Sequence, residues 1–258
     1  MTTSPGRVVA ELVADRDRPP EQWDALFADG WPAFVGADQV AAACLPRVRA
    51  AFGSLEVALT RLEGDRSEGP GAELVAAGWG VPVVWDRDPR TLPAGYSDTL
   101  TRSLEDADTG APVDTLVVCA VQVRPDVAGG GLAARLLTHL MAVAAGQGLH
   151  QVVAPLRPTA KHRHPLTPVE EYATWTRPDG QPFDPWLRAH VRMGATVVAT
   201  ADASQVFEGT VAQWRDWSRQ DLPASGRYLV EGALAPLDLD IEQDRGVLVE
   251  PGIWVRHR

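Results

Sequence analysis

The sequence Val-Arg-Pro-Asp-Val-Ala-Gly-Gly-Gly-Leu-Ala, residues Val123 to Ala133, has a regular apolar pattern on each side. Before it, Thr115 to Val123 is an apolar, β-branched run with the length of one strand. After it, apolar side chains recur at helical spacing from Leu132 to Ala145. Two glycines then follow, and Gln151 to Ala154 has the composition of a second strand. The order strand, glycine turn, helix, strand predicts one crossover unit with a parallel strand pair.

The glycine turn has two interpretations. Pro125 cannot donate to a sheet ladder and closes the first strand, and three glycines without side chains let a ligand approach the backbone. The first amides of the following helix are unpaired and lie at the positive end of its dipole, which suits a phosphate or pyrophosphate. The turn can equally be a tight connection without a ligand.

Two common phosphate-binding motifs fit the turn poorly. A P-loop needs Gly-Lys-Ser/Thr, but Leu132 and Ala133 follow Gly131. Gly129, Gly131 and Ala134 match a dinucleotide fingerprint, whose acidic ribose ligand belongs about 20 residues further on. That region is Pro155-Leu-Arg-Pro158 and has no acid, which disfavours an NAD(P)-dependent oxidoreductase.

A third motif fits better. Val123, Pro125, Gly129, Gly131 and Ala133 resemble the pyrophosphate loop of the GNAT N-acetyltransferase superfamily, Val-x-Pro-x-x-Arg/Gln-Gly-x-Gly-x-Gly/Ala. Ala128 stands where that family usually has Arg or Gln. Downstream, the family's Tyr-x-x-x-Gly-Phe is matched by Gly194, with His190 at the tyrosine position and Ala195 at the phenylalanine.

The resemblance implies a fold and a domain organisation. It implies an α/β (α+β) fold with a mixed, mostly antiparallel sheet, a central parallel strand pair and helices on both faces. The whole chain, residues 1–258, is expected to form a single acyltransferase domain. An insertion at about 157–183 and a C-terminal appendage at about 202–258 would depart from the family's pattern.

The resemblance also implies a reaction and its ligands. An acetyl or short acyl group would pass from acyl-CoA, most simply acetyl-CoA, to an amine of a small molecule, without a metal. The backbone of Val121, Gln122 and Val123 would pair with the pantetheine arm. The pyrophosphate would lie on the turn and the first helical turn, at Ala128, Gly129, Gly130, Gly131, Leu132 and Ala133.

A carboxylate general base on the central strand is excluded, because no Glu or Asp lies between Thr115 and Arg124. His190 is the predicted catalytic residue, since imidazole titrates near neutral pH and the family often has a thiolate-facing tyrosine there. The alternative is a histidine packed beside the sheet without a catalytic role.

The insertion at about 157–183 is long, polar and rich in proline. It follows the second parallel strand, so it is predicted to be a lid on the acceptor side, with a mobile surface loop as the alternative. His162 and His164 have no third ligand nearby for a metal, and Lys161 to His164 is predicted to be a solvated basic loop.

Composition limits the partners. The chain has 258 residues, 45% hydrophobic and 22% charged, and a net charge of −10, which disfavours nucleic acid or an anionic membrane. No membrane-length apolar run or signal-peptide core occurs, so a cytoplasmic location is expected. The oligomeric state is left open, and a non-catalytic acyl-CoA-binding module is the alternative to an enzyme.

Overall fold

A computed structural model describes residues 7–27, 31–62, 72–128 and 130–257. The described residues form seven α-helices: α1 (Pro20–Leu26), α2 (Gln39–Phe52), α3 (Tyr96–Thr109), α4 (Leu132–Gly146), α5 (Val169–Thr174), α6 (Pro185–Arg192) and α7 (Val211–Ser218). They also form nine strands: β1 (Arg7–Leu12), β2 (Glu56–Leu62), β3 (Ala72–Val83), β4 (Thr115–Val123), β5 (Gln151–Leu156), β6 (Thr196–Gly209), β7 (Gly226–Tyr228), β8 (Leu237–Asp240) and β9 (Arg245–His257).

The nine strands form one sheet in the order β1-β2-β3-β4-β5-β9-β8-β7, with β6 paired along β9. Every described pairing is antiparallel except that of β4 with β5, which is parallel. The predicted α/β fold with a mostly antiparallel sheet and a central parallel pair is confirmed.

Helices cover both faces of the sheet. Alternate residues of a strand point to opposite faces, so Leu116 and Val117 on β4 mark the two sides. Leu116 packs in a core with α4 and α6, whereas Val117 packs in a second core with α2 and α3. On α4, helical spacing buries one apolar stripe, which consists of Leu136, Leu137, Leu140 and Ala144.

Strand β3 is continuous through Gly78 and Gly80, although glycines inside a strand pattern predict a break there. Its register with β4 shifts between Trp79 and Gly80, which leaves Cys119 as an extra residue on β4. A Cβ atom on Gly78 would lie 2.8 Å from the Ala120 carbonyl oxygen, and one on Gly80 would lie 2.5 Å from that of Val117. These glycines therefore allow β3 to approach the bulged strand closely.

The C-terminal residues contribute an inner strand of the sheet. β9 pairs with β6 along most of its length, and its other edge pairs first with β8 and then with β5. Glu250 lies on β9 between these two partners. The region predicted as an appendage therefore completes the sheet, and β6 already begins at Thr196.

The insertion at about 157–183 is packed against the rest of the protein. Asp184, the N-cap of α6, accepts hydrogen bonds from the amides of Trp186, Leu187 and Ala160 and from the Tyr172 hydroxyl. The prediction of a solvated basic loop is wrong for Lys161, which is buried and donates from Nζ to the carbonyl oxygens of His164 and Leu234.

Candidate active site

The parallel strands β4 and β5 separate after a short paired stretch. Pairing runs from Thr115↔Gln151 to Val117↔Val153, but β4 continues to Val123 and β5 to Leu156. Beyond Val117, the β4 edge that faces β5 has no strand partner among the described residues, while β5 stays paired with β9 along its other edge as far as Leu156. A cavity of about 1080 Å³ occupies this split.

The cavity is lined from both faces of the sheet. Val121, Leu132 and Trp186 line it and belong to the core beside α4 and α6. Leu45, Tyr96 and Cys119 also line it and belong to the core beside α2 and α3. We call the part beside α4 and α6 the donor half, and the part beside α2 and α3, with the adjoining Trp31 and Arg157, the acceptor half.

Most of the predicted CoA-binding residues line the donor half: Val121, Gln122, Val123, Ala128, Gly131, Leu132 and Ala133. Gly130 does not line the cavity, and Gly129 lies outside the described residues. Gly131 is the N-cap of α4 and adopts φ +74° without a side-chain cap. The first α4 amides therefore have no intrahelical partner at the mouth of the cavity.

His190 also lines the cavity and is fully buried. Its Nδ1 lies 2.8 Å from Nε2 of His257, and its ring packs edge-on against Trp186 at 4.4 Å between centroids. His190 Nε2 and His257 Nδ1 have no hydrogen-bond partner among the described residues. Burial, and to a lesser extent His257, lowers the pKa of His190 to about 3, so the imidazole is neutral at neutral pH.

A single proton lies between the two imidazole rings when both are neutral. If His190 Nδ1 donates it, His190 Nε2 carries a lone pair; if His257 Nε2 donates it, His190 Nε2 carries a hydrogen. The tautomer therefore decides whether Nε2 of His190 carries a lone pair or a hydrogen. This nitrogen is buried from solvent, so a substrate atom must lie directly against it to exchange a proton.

The acceptor half contains polar groups that the sequence did not reveal. Tyr96 and Gln205 line it, and so do two arginines that lie over tryptophan rings. The Arg49 guanidinium lies 4.2 Å from the Trp79 ring centroid, and that of Arg157 lies 5.7 Å from the Trp31 centroid. These side chains come from distant parts of the chain, and none stands in a local motif.

The predicted lid contributes little of this wall. Of residues 157–183, Arg157 and Thr159 line the cavity. The rest of the segment packs around Tyr172 in an aromatic cluster with His164, Trp175 and Phe183. The segment thus holds the wall in place, and only its first residues contact the cavity.

Carboxylates and metal ligands are sparse at the site. Among the described lining residues, Glu250 alone is acidic, and both its oxygens bind Arg157. The ring of His162 contacts the Thr159 carbonyl oxygen, while that of His164 packs on Trp175, so the two do not converge. Within the described ranges, no cluster of three His, Cys, Asp or Glu side chains could hold a metal ion.

No helix in the described part of the chain has the length and hydrophobicity to span a membrane.

Solved structures of GNAT-like proteins share this fold. The loading GNATL domain of CurA from Lyngbya majuscula superposes with a TM-score of 0.58, 15% identity, and coverage of 97% of this chain and 96% of that domain. The GphF GNAT-like decarboxylase, in complex with isobutyryl-CoA, gives a TM-score of 0.53, 20% identity, and coverage of 97% and 98%. At these identities the two structures show the fold alone.

Sequence comparison then shows the family. No family model matches the chain. The arginine N-acetyltransferase avaD of Aspergillus versicolor is 34% identical over 205 residues, which cover 71% of this chain and 70% of that protein. The chain therefore belongs to the GNAT N-acetyltransferase superfamily, as the glycine turn predicted. It is a CoA-dependent N-acyltransferase that acts on an amine, which decides against the binding-module and oxidoreductase alternatives.

Proposed function

We propose that the protein, acting as one domain, transfers an acetyl group from acetyl-CoA to the amine of a small molecule inside the split between β4 and β5. The observation that carries this proposal is the cavity that crosses the sheet, because it lets donor and acceptor approach the same point from opposite faces. The relative avaD is named for arginine, so arginine is the first acceptor to test.

The donor half fits an acyl-CoA. The free edge of β4 beyond Val117 offers backbone groups to the pantetheine amides, as an added strand would use them. The first amides of α4 offer donors and a positive dipole end to the pyrophosphate. Acetyl-CoA, when bound, supplies an activated thioester for attack by the amine.

The chain's own residues favour direct attack over a covalent intermediate. Cys119 is the thiol that lines the cavity, and burial raises its pKa, so it stays protonated. A protonated thiol is a weak nucleophile. The amine itself therefore attacks the carbonyl: a C–N bond forms, the C–S bond breaks, and one proton must travel from nitrogen to sulfur.

His190 is proposed to carry that proton. With Nδ1 donating to His257, its Nε2 lone pair accepts the proton from the attacking nitrogen and returns it to the departing sulfur. The lowered pKa keeps the ring neutral before the reaction and makes its protonated form a strong acid toward the thiolate. His257 acts here as a positioning residue.

The experiment is a transfer assay with acetyl-CoA and arginine, with other small amines in parallel. We expect one acetylated amine for each CoA released, identified by mass spectrometry. Release of CoA without an acetylated amine, or no consumption of acetyl-CoA with any amine, would contradict the proposal.

A further inference from the structure

The unpaired hydrogen-bonding groups of the acceptor half are mainly donors. The carboxylate of Glu250 is occupied by Arg157 and by the amide of Leu234. Asp38, behind the wall, accepts from the Ala41 amide, the Ser97 hydroxyl and Gln205. Arginine guanidinium groups cannot accept hydrogen bonds, so the N–H groups of Arg157 and Arg49 that remain free suit a ligand that presents acceptor oxygens. Arg49 already donates from Nη1 to Glu56 at 2.7 Å.

Of these two arginines, Arg157 is held in place by more hydrogen bonds. Its Nε and Nη2 donate to the two oxygens of Glu250 at 2.6 and 2.8 Å, and Nη2 also donates to the Gly232 carbonyl oxygen at 2.7 Å. The side chain of Glu250 is 1% exposed and that of Arg157 is 19% exposed. Such a bidentate pair fixes the guanidinium plane. Nη1 makes no hydrogen bond within the described ranges, and Arg157 lines the cavity beside Trp31.

The charge around Arg157 favours an anion. Glu250 neutralises one positive charge. Burial lowers the pKa of nearby Lys161, and the charge of Glu250 offsets part of that shift. Lys161 Nζ donates to the carbonyl oxygens of His164 and Leu234, so its charge has no dedicated carboxylate partner. Lys161 does not line the cavity, so the cation at this end that can meet a ligand is Arg157, where water is partly excluded and charge interactions are strong.

We propose that Arg157 binds the carboxylate of the acceptor through Nη1, and that the acceptor is therefore an amino acid with a free carboxylate. This inference rests on the proposed transfer to a small amine. It narrows that class to amines that also carry an anionic group, which Nη1 can bind by a charge-assisted hydrogen bond.

The test is calorimetric binding of three ligands to the CoA-loaded protein: arginine, its amide, and agmatine, which lacks the carboxylate. We expect arginine to bind at least about tenfold more tightly than either analogue, the effect of one charge-assisted hydrogen-bonded pair. In Arg157→Gln this preference should fall to about threefold or less.

Matched variants separate recognition from stability. Arg245→Gln breaks an exposed bidentate pair with Glu208 away from the cavity and should keep the preference for arginine. If Arg157→Gln fails to fold because Glu250 is left unpaired, the double variant Arg157→Gln/Glu250→Gln removes both charges and should lose the preference.

Several results would overturn the inference. These are equal binding of the three ligands by the natural protein, a preference retained in the Arg157 variants, no binding of arginine, or an equal loss of CoA affinity in Arg157→Gln. Acetyl transfer to agmatine as fast as to arginine would leave the proposed function standing without the inference. Carboxylate-dependent binding of arginine without acetyl transfer would support the inference and contradict the proposed function.

Discussion

The donor and acceptor halves of the cavity are built in different ways. Residues Val121 to Ala133 make up much of the donor half in one continuous segment, and they would bind chiefly through the backbone. The acceptor half takes Trp31, Arg49, Tyr96 and Arg157 from four distant segments. Backbone recognition needs prolines and glycines at fixed spacing, which leaves a local pattern in the sequence. A wall of side chains from separate elements leaves none.

The largest expected effect tests the proton carrier of the donor half. His190→Ala should lower kcat by about a hundredfold, because general acid–base groups contribute about 10²–10⁴-fold. His190→Tyr, which restores the family's residue, should retain more activity than the alanine variant. Steady-state kinetics per folded molecule provides the measurement.

The exposed His150, which does not line the cavity, supplies the control for this prediction. His150→Ala should have the kcat of the natural protein. Unchanged turnover per folded molecule in His190→Ala would mean that His190 is only a packed residue.

The second prediction concerns the segment behind the acceptor wall. Asp184→Ala should lower the free energy of unfolding by about 3 kcal/mol, because it removes an N-cap and leaves buried donors unsatisfied. Urea denaturation measures this change. Asp88 caps a short exposed turn, so Asp88→Ala should cost less than about 1 kcal/mol. Equal losses would show that the segment is not part of the core.

The third prediction tests the glycine turn. Gly131→Val should weaken acetyl-CoA binding by at least about tenfold, or about 1.4 kcal/mol, measured by calorimetry. Gly110 has a similar conformation, φ +65° against +74°, and neither site has an atom within 4 Å of an added Cβ. Gly110→Val therefore imposes similar backbone strain outside the cavity and should keep the affinity. Equal affinities in the two variants would remove the turn from the site.

The sequence predicted the donor half because β4, α4 and β5 follow regular patterns. It was less informative where a helix contains many alanines, because alanine occurs on buried and exposed faces alike and does not define which face is buried. On α2, the helical spacing of Val40, Ala43, Cys44, Val48 and Ala51 predicts one buried stripe. In the structure Val40 is 45% exposed, while Ala41 packs inside. β8 was missed because Leu237–Asp240 is four residues long with alternating aspartates. The pairing of Arg157 with Glu250, by contrast, joins residues far apart in sequence and leaves no local pattern.

A further expected effect is a pH dependence of stability from the buried imidazole pair, which grows only gradually with each pH unit. Burial lowers the pKa of both His190 and His257 below the ordinary 6.5, to about 3 for His190. Between these values the unfolded chain binds more protons than the folded one, so stability is present above pH 6.5 and is lost as the pH falls.

The expected slope from His190 is about 1.4 kcal/mol per pH unit. Urea denaturation at several pH values below neutrality should show this slope, and His190→Phe should flatten it. An equal slope in the natural protein and the variant would mean that His190 is already protonated in the fold.

The proposed function depends most on acyl-CoA binding by the backbone of the β4–β5 split. Hydrogen–deuterium exchange with and without acetyl-CoA tests this directly, since amides that form hydrogen bonds to a ligand exchange more slowly. We predict slower exchange in residues 118–134, with little change in β7 and β8, which lie at the far edge of the sheet. Unchanged exchange in residues 118–134 at saturating acetyl-CoA would contradict the account.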